Sequence, residues 1–427
     1  MQLTKLKPAR SAQLISILVL ILLLVAGGLY LVFHSKAATC SSPPGDANCD
    51  GAVNILDLSI LATNWGKTST TWSMGDFNGD AVVNILDLSL MASHWGSSTV
   101  TQLPSPGTWT NVTSNLAGMA SQCGNLTMVS NVPNTNEVIA GVAGVGLYVT
   151  TNAGTSWSKM GAGSGSDAIS NRPTTLTYDP IAGTFWEAGI YGNDFGIYKT
   201  TDGGNTFHHE GTPYHIEHVA VDFTDPNRQT QLSGGHEQSQ TVDKSTNGGT
   251  SWTNIWSTLP TGIGFTPDPV VINSTTYLIN AYPSWGGGTP GIYRTTNGGT
   301  SWTKVSSEGP DGAALITSDG TLYWADGSSL VKSTDQGQTW TKVGSNLLDI
   351  TPIQLPDGRL VSANNTSHLV VSADSGSTWT AFGAALPFTP PQGDSADLAY
   401  SPSDQAFFIS QWDCGNVVLP NAIARLK

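Results

Sequence analysis

Charge is scarce in this chain, and positive charge scarcest. Only 11% of its 427 residues are charged, with 17 Lys and Arg against 31 Asp and Glu, a formal net charge of -14. Such a balance excludes nucleic acid as a partner, because phosphate binding needs cations to displace counterions. Long soluble helices are scarce too, whereas Gly, Ser, Thr and Asn are abundant, a composition of short strands joined by polar turns. The length implies at least two folded units.

One apolar run interrupts this polar composition. Leu14 to Phe33 reads "LISILVLILLLVAGGLYLVF", long enough for a helix to cross a bilayer. Lys5, Lys7 and Arg10 precede it and Lys36 follows, so residues 1–13 are expected to be cytoplasmic, 14–33 a transmembrane signal anchor, and the remainder exported. Cleavage as a signal peptide near Ser35 and Ala37 is the alternative. Either way the later chain lies outside the cytoplasm.

Two loops of one pattern follow, "DANCDGAVNILD" (46–57) and "DFNGDAVVNILD" (76–87). They place side-chain oxygens at loop positions 1, 3, 5, 9 and 12: Asp46, Asn48, Asp50, Asn54 and Asp57, then Asp76, Asn78, Asp80, Asn84 and Asp87. Alternate residues of a tight loop point inward and the last ligand arrives on the following helix, which suits a hard cation, calcium, with one ion expected per loop. Val53 and Val83 stand where the two loops can pair back to back. Gly51 fills the sharp turn of the first loop, but the second has Ala81, which predicts strain there. With "NILDLSILATNWG" echoed by "NILDLSLMASHWG", residues 45–97 resemble a type I dockerin, a small all-α module of EF-hand type. The resemblance implies a cohesin-like partner met through the helix starts, here the apolar Ile55, Leu56, Ile85 and Leu86. Packing of those side chains on a neighbouring domain is the other reading.

Beyond a linker at 98–106, the pattern Ser/Thr-x-Asp/Asn-x-Gly-x-Ser/Thr-Trp/Phe recurs at 150–157, 200–207, 245–252, 295–302, 333–340 and 372–379, about 40 to 50 residues apart. Repeats of this period with four short strands each predict a β-propeller. The Asp or Asn accepts turn amides, the Gly supplies positive φ, and the aromatic residue opens the next strand. These turns resemble the Asp-boxes (BNR repeats) of sialidases, sortilin-type receptors and related propellers, where they join strands three and four away from the ligand face. Strand triplets are expected to begin near Leu126, Leu176, His218, Pro269, Ala313, Ile350 and Ala396. The last lacks its fourth strand, which "GTWTNV" (107–112) supplies, so residues 107–427 read as seven blades with the seventh shared by both ends.

Function is expected on the opposite face, in the loops between strands two and three and between blades. The sialidase resemblance implies three converging arginines, yet only Arg172 reaches this face; Arg228, Arg294, Arg359 and Arg425 fall elsewhere. Carboxylates at Glu187, Asp194, Glu237 and Asp413 keep a xyloglucanase-like glycoside hydrolase open. "YHIEH" and "GGHEQ" bring His215, His218, His236 and Glu237 together, a set able to bind a transition metal, shuttle protons or simply stabilise a channel mouth. Tyr191, Tyr282, Trp285 and Trp412 offer stacking surfaces. The expectation is an exported, membrane-tethered protein binding glycan or protein, with a hydrolase or a membrane-complex assembly factor as alternatives. Of the four cysteines, Cys123 with Cys414 would lock the ring, leaving Cys40 and Cys49 as a local pair.

Overall fold

In the computed structural model the described residues are 44–47, 53, 55–95, 103–105, 107–119, 126–133, 135–181, 183–192, 196–281, 288–388, 396–402, 404–411 and 422–427. The chain divides into two compact units, Met1–Val100 and Thr101–Lys427. The apolar run at 14–33 and all four cysteines lie outside the described residues. Among the described residues no helix is long and apolar enough to cross a membrane.

The first unit is built on two helices, Ile55–Thr63 and Ile85–Ser93. The second starts where it does because Asn84 Oδ1 accepts the Leu86 N–H at 2.7 Å while Asp87 Oδ2 accepts the Asn84 N–H at 2.9 Å, a reciprocal cap. Val53, Leu61, Phe77, Val83 and Met91 form the core between them. Both position-8 valines are buried in this core, but the expected back-to-back pairing of the loops is not what the backbone of Val83 makes: Val83 O accepts the Gly66 N–H at 2.8 Å and its own N–H goes to Lys67 O at 3.2 Å, beside the bridge of Thr68 to Val82.

The second unit is a ring of seven four-stranded antiparallel sheets. Six are consecutive in the chain. The seventh pairs Trp109–Asn111 with the last strand, Ala422–Leu426, in the register Trp109↔Leu426. Two further bonds clasp this closure: Trp157 Nε1 donates to Val112 O at 2.9 Å, and the Ile423 N–H to Thr113 Oγ1 at 3.0 Å. The short strand Trp109–Asn111 thus becomes the outermost strand of the seventh sheet, paired on one side with the last strand of the chain. First strands begin at Leu126, Arg172, Ile216, Val270, Asp311, Ile353 and Leu398, so the second blade starts four residues earlier than its sequence suggests. Rings such as Trp186, Phe207 and Trp324 fill the spaces between sheets, and burying each contributes about 2–3 kcal/mol.

The six repeated turns join third to fourth strands. In each a buried hydroxyl (Thr150, Thr200, Ser245, Thr295, Ser333 or Ser372) accepts the amide of the glycine four residues on, at 2.8–3.1 Å. The Asp or Asn oxygen accepts the amide four residues after itself. The glycines hold φ between 77° and 87°, which a Cβ would resist.

Candidate functional site

Blades two and three meet at the end of the ring opposite these turns. Tyr191 follows the second strand of blade two, Phe185–Ile190. His215 enters the first strand of blade three, Ile216–Val221, and His236 and Glu237 follow its second strand, Gln231–Gly235. All four therefore stand in loops of one face.

A bulge completes the group. The pairing of blade three's first two strands shifts register between Ile216 and His218, leaving Glu217 as the extra residue. A bulged residue is re-aimed relative to its neighbours. Thr174 and Thr175 of blade two pin it, donating to Glu217 O at 2.7 and 3.1 Å. The Glu217 carboxylate then accepts from His236 Nδ1 in a short hydrogen bond. With Glu217 ionised, Nδ1 is the donor in this bond, and Nε2 is the ring nitrogen left facing the remaining groups. Tyr191 Oη is hydrogen-bonded to that nitrogen at 3.1 Å, and Glu237 Oε1 lies 3.7 Å from it. His215 is oriented from the other side, its Nδ1 accepting the Tyr191 N–H at 2.9 Å while its own carbonyl accepts the His236 N–H at 3.0 Å. Tyr214, half-exposed, stacks on His215 with ring centres 5.6 Å apart and planes 22° apart.

Tyr191, His215 and Glu237 hold φ of 55°, 61° and 48°, left-handed conformations that residues bearing a Cβ seldom adopt. Such strain persists only where surrounding contacts enforce it, and it concentrates at functional sites. Burial lowers the His215 pKa, with the neighbouring His236 adding to the shift, and burial raises that of Tyr191.

The structure corrects three sequence assignments. His218 does not join the cluster: one residue past the bulge, it bonds Thr175 Oγ1 at 3.2 Å, and burial holds its pKa near 4. Arg172 lies at the expected end but is buried rather than presented; burial lowers its pKa first, against the raising influence of Glu217 and Tyr191. Glu187 is fully buried between sheets, its carboxyl pushed up to about 8 by burial, and so cannot serve an accessible site. Asp194, Tyr282, Trp285, Trp412 and Asp413 lie outside the described residues. Sequence reading missed Glu217 and Tyr214, although the broken alternation of "IEHVAV" signals the bulge: Ile216 and Val219, three apart, share one core.

The first unit gathers a second set of polar groups. Asp76, Asp80 and Asp87 bring carboxylate oxygens within 4.8 Å of one another. Asp76 accepts the Gly79 and Ala81 amides, and Asp87 those of Phe77, Asn78 and Asn84. Burial raises the Asp76 pKa, and the like charges of Asp87 and Asp80 add to it. An all-oxygen set of clustered anions fits a hard cation. Ala81 takes the turn at φ 66°, the strained position foreseen from its missing glycine. Asn84 spends its amide oxygen on the helix cap. Asn78 exchanges bonds with Asp80 at 2.9 Å. In the first loop Asp46 and Asp57 are buried, Asp57 accepting the Ala47 N–H at 2.8 Å; Asn48, Asp50 and Asn54 lie outside the described residues.

Residues 44–94 match the family model described as "Dockerin type I domain". The segment is a type I dockerin domain. Dockerin domains of this type are generally calcium-binding and typically bind cohesin partners. At the start of the dockerin's second helix Ile85 and Leu86 are 63% and 57% exposed, so they do not serve its core. Residues 267–407 match the model described as "DUF6242 beta propeller domain". No curated protein matches the chain. Among solved structures, YCF48 bound to a D1 peptide is 15% identical, with 76% of this chain and 99% of that one covered and a TM-score of 0.45. A GH74 xyloglucanase from Xanthomonas campestris is 17% identical over 74% and 55%, TM-score 0.45. The extracellular domain of a B. thetaiotaomicron protein described as a hybrid two component system is 12% identical over 76% and 42%, TM-score 0.52. At these identities the likeness is one of fold.

Proposed function

We propose that this chain is an exported glycan-binding protein, anchored by its apolar run at 14–33, whose propeller takes its ligand on the face opposite the repeated turns. The observation that carries the reading is the pairing of an exposed ring with polar groups. Tyr214 is the one large aromatic exposed on the propeller among the described residues, and it stacks on His215, which in turn meets His236. A flat ring offers a surface to the C–H face of a sugar, while a carboxylate and imidazoles meet its hydroxyls. With Glu217 and Glu237 at the site and acids in excess over the whole chain, the site suits a neutral glycan better than an acidic one. The dockerin domain would then hold two calcium ions and attach the propeller to a cohesin-like partner through Ile85 and Leu86.

A glycan array probed with the full chain tests the ligand, run beside a reducing-end assay on every glycan bound. Retention of neutral oligosaccharides without cleavage supports binding. Cleavage would favour a glycoside hydrolase, a reading supported by the two carboxylates, Glu217 and Glu237, that approach His236 from opposite nitrogens. Retention of protein ligands alone would refute the glycan reading.

A further inference from the structure

We infer that the cluster between blades two and three is a site for a borderline divalent metal ion of the zinc type, with His236 Nε2 and the Glu237 carboxylate as its protein ligands and Tyr191 Oη beside them. The inference rests on geometry alone and not on the glycan reading.

His236 is prepared as a ligand. Glu217 bonds Nδ1 and so turns Nε2 away from that carboxylate, the carboxylate–histidine arrangement that orients imidazoles toward metals, and an entering ion takes the place of the Tyr191 hydrogen bond at Nε2. The spacing around Nε2 matches as well. Two bonds of about 2.1 Å that meet at roughly 110–125° separate their donor atoms by about 3.4–3.7 Å. Glu237 Oε1 is 3.7 Å from His236 Nε2, within that range, whereas Tyr191 Oη, 3.1 Å from it, is at hydrogen-bond distance. A nitrogen of His215, one of His236 and an oxygen of Glu237 all fall within 4.8 Å of one another. His215 acts differently from the other two. Its Nδ1 is committed to the Tyr191 amide, so the neutral ring carries its proton on Nε2 and enters as a hydrogen-bond donor to a metal-bound water or carboxylate.

The mixture of donors sets the chemical class. Imidazole nitrogen with carboxylate oxygen suits zinc, cobalt or nickel, whereas calcium prefers the oxygen-only loops of the dockerin domain. Few protein ligands leave open positions for water or a hydroxylated ligand. Two ligating or contacting residues, Tyr191 and Glu237, reach the site from left-handed backbone, so the group is held in place at a conformational cost.

Cobalt(II) titrated into the full chain, with the dockerin loops first saturated in calcium, reads the site through its visible absorption. Uptake of one equivalent is expected. His236→Ala should abolish the band, and Glu217→Gln and Glu237→Gln should each weaken affinity by about 10-fold or more. His209→Ala removes an imidazole beside a different carboxylate, Asp167, and should leave uptake unchanged. Absence of a band in the wild-type chain, its survival in His236→Ala, or its loss in His209→Ala would each overturn the assignment. If His236→Ala fails to fold, the two Gln variants decide, with melting temperature as the folding control: unchanged cobalt affinity in both refutes the site.

Discussion

The phenol of Tyr191 is hydrogen-bonded to Nε2 of His236 across 3.1 Å, although the two residues sit in different blades, 45 positions apart. That bond ties the loop of blade two to the loop of blade three, and both partners are only partly buried. Tyr191→Phe keeps the ring contacts with His215 and His236 and removes one O–H. Stability should fall by about 1 kcal/mol or less, while affinity for the ligand of this face falls several-fold. Urea unfolding beside binding isotherms checks both; an unchanged affinity would place the ligand elsewhere.

The repeated turns should behave oppositely. Asp202→Ala removes acceptors from the Thr206 amide and hydroxyl, costing about 1 kcal/mol at an exposed turn. Thr200→Val should cost more, about 1–3 kcal/mol, because the buried Gly204 N–H loses its acceptor. Neither should alter ligand affinity. Denaturant midpoints rank the two variants, and a higher midpoint for Thr200→Val than for Asp202→Ala would contradict the hydrogen-bond assignment.

Glu187 gives the propeller a pH signature. Its folded pKa, about 8, exceeds the ordinary 4.5 because burial disfavours the charged form. The folded state therefore binds this proton more tightly, so the contribution is complete below about pH 4.5 and is lost as pH rises through about 8. Glu187→Gln keeps the shape and the Asn171 contact while abolishing the titration. It should raise the melting temperature by roughly 2–4 °C at pH 8 and have little effect at pH 4.5, measured by calorimetry. His218, with its pKa lowered to about 4, works in the other direction, its contribution being lost as pH falls from about 6.5 to 4.

In the dockerin domain, the clustered carboxylates repel one another until a cation enters. Calcium should raise the melting temperature of this unit, and Asp76→Asn or Asp87→Asn should weaken binding by at least about 10-fold. Isothermal calorimetry with calcium on the full chain measures both; heat unchanged by either substitution would remove these residues from the site.

The fold was legible because its determinants repeat. Six turns spell out hydroxyl, Asx, glycine and aromatic in fixed order, and each element uses local hydrogen bonds that the sequence order alone specifies. The shared seventh blade was legible too, since "GTWTNV" lacks a partner unless it pairs with the final strand, as Trp109 does with Leu426. The face site was only half legible. "YHIEH" and "GGHEQ" marked the right blade, but the bulge at Glu217 shifts strand register by one residue and sends His218 away to Thr175. Tyr191 joins from 24 positions before His215 through a left-handed backbone that no side-chain pattern announces.

The central claim is that ligand recognition lies on the face bearing Tyr214 and Glu237, apart from the repeated turns. Isothermal calorimetry with a neutral oligosaccharide retained on the array, applied to the wild-type chain, Tyr214→Ala, Glu237→Gln and Asp202→Ala, tests it most directly. The account predicts that the first two variants lose affinity by about 10-fold or more, with melting temperatures near wild type, and that Asp202→Ala melts earlier yet binds normally. Equal affinity for all four proteins, or loss confined to Asp202→Ala, would contradict it.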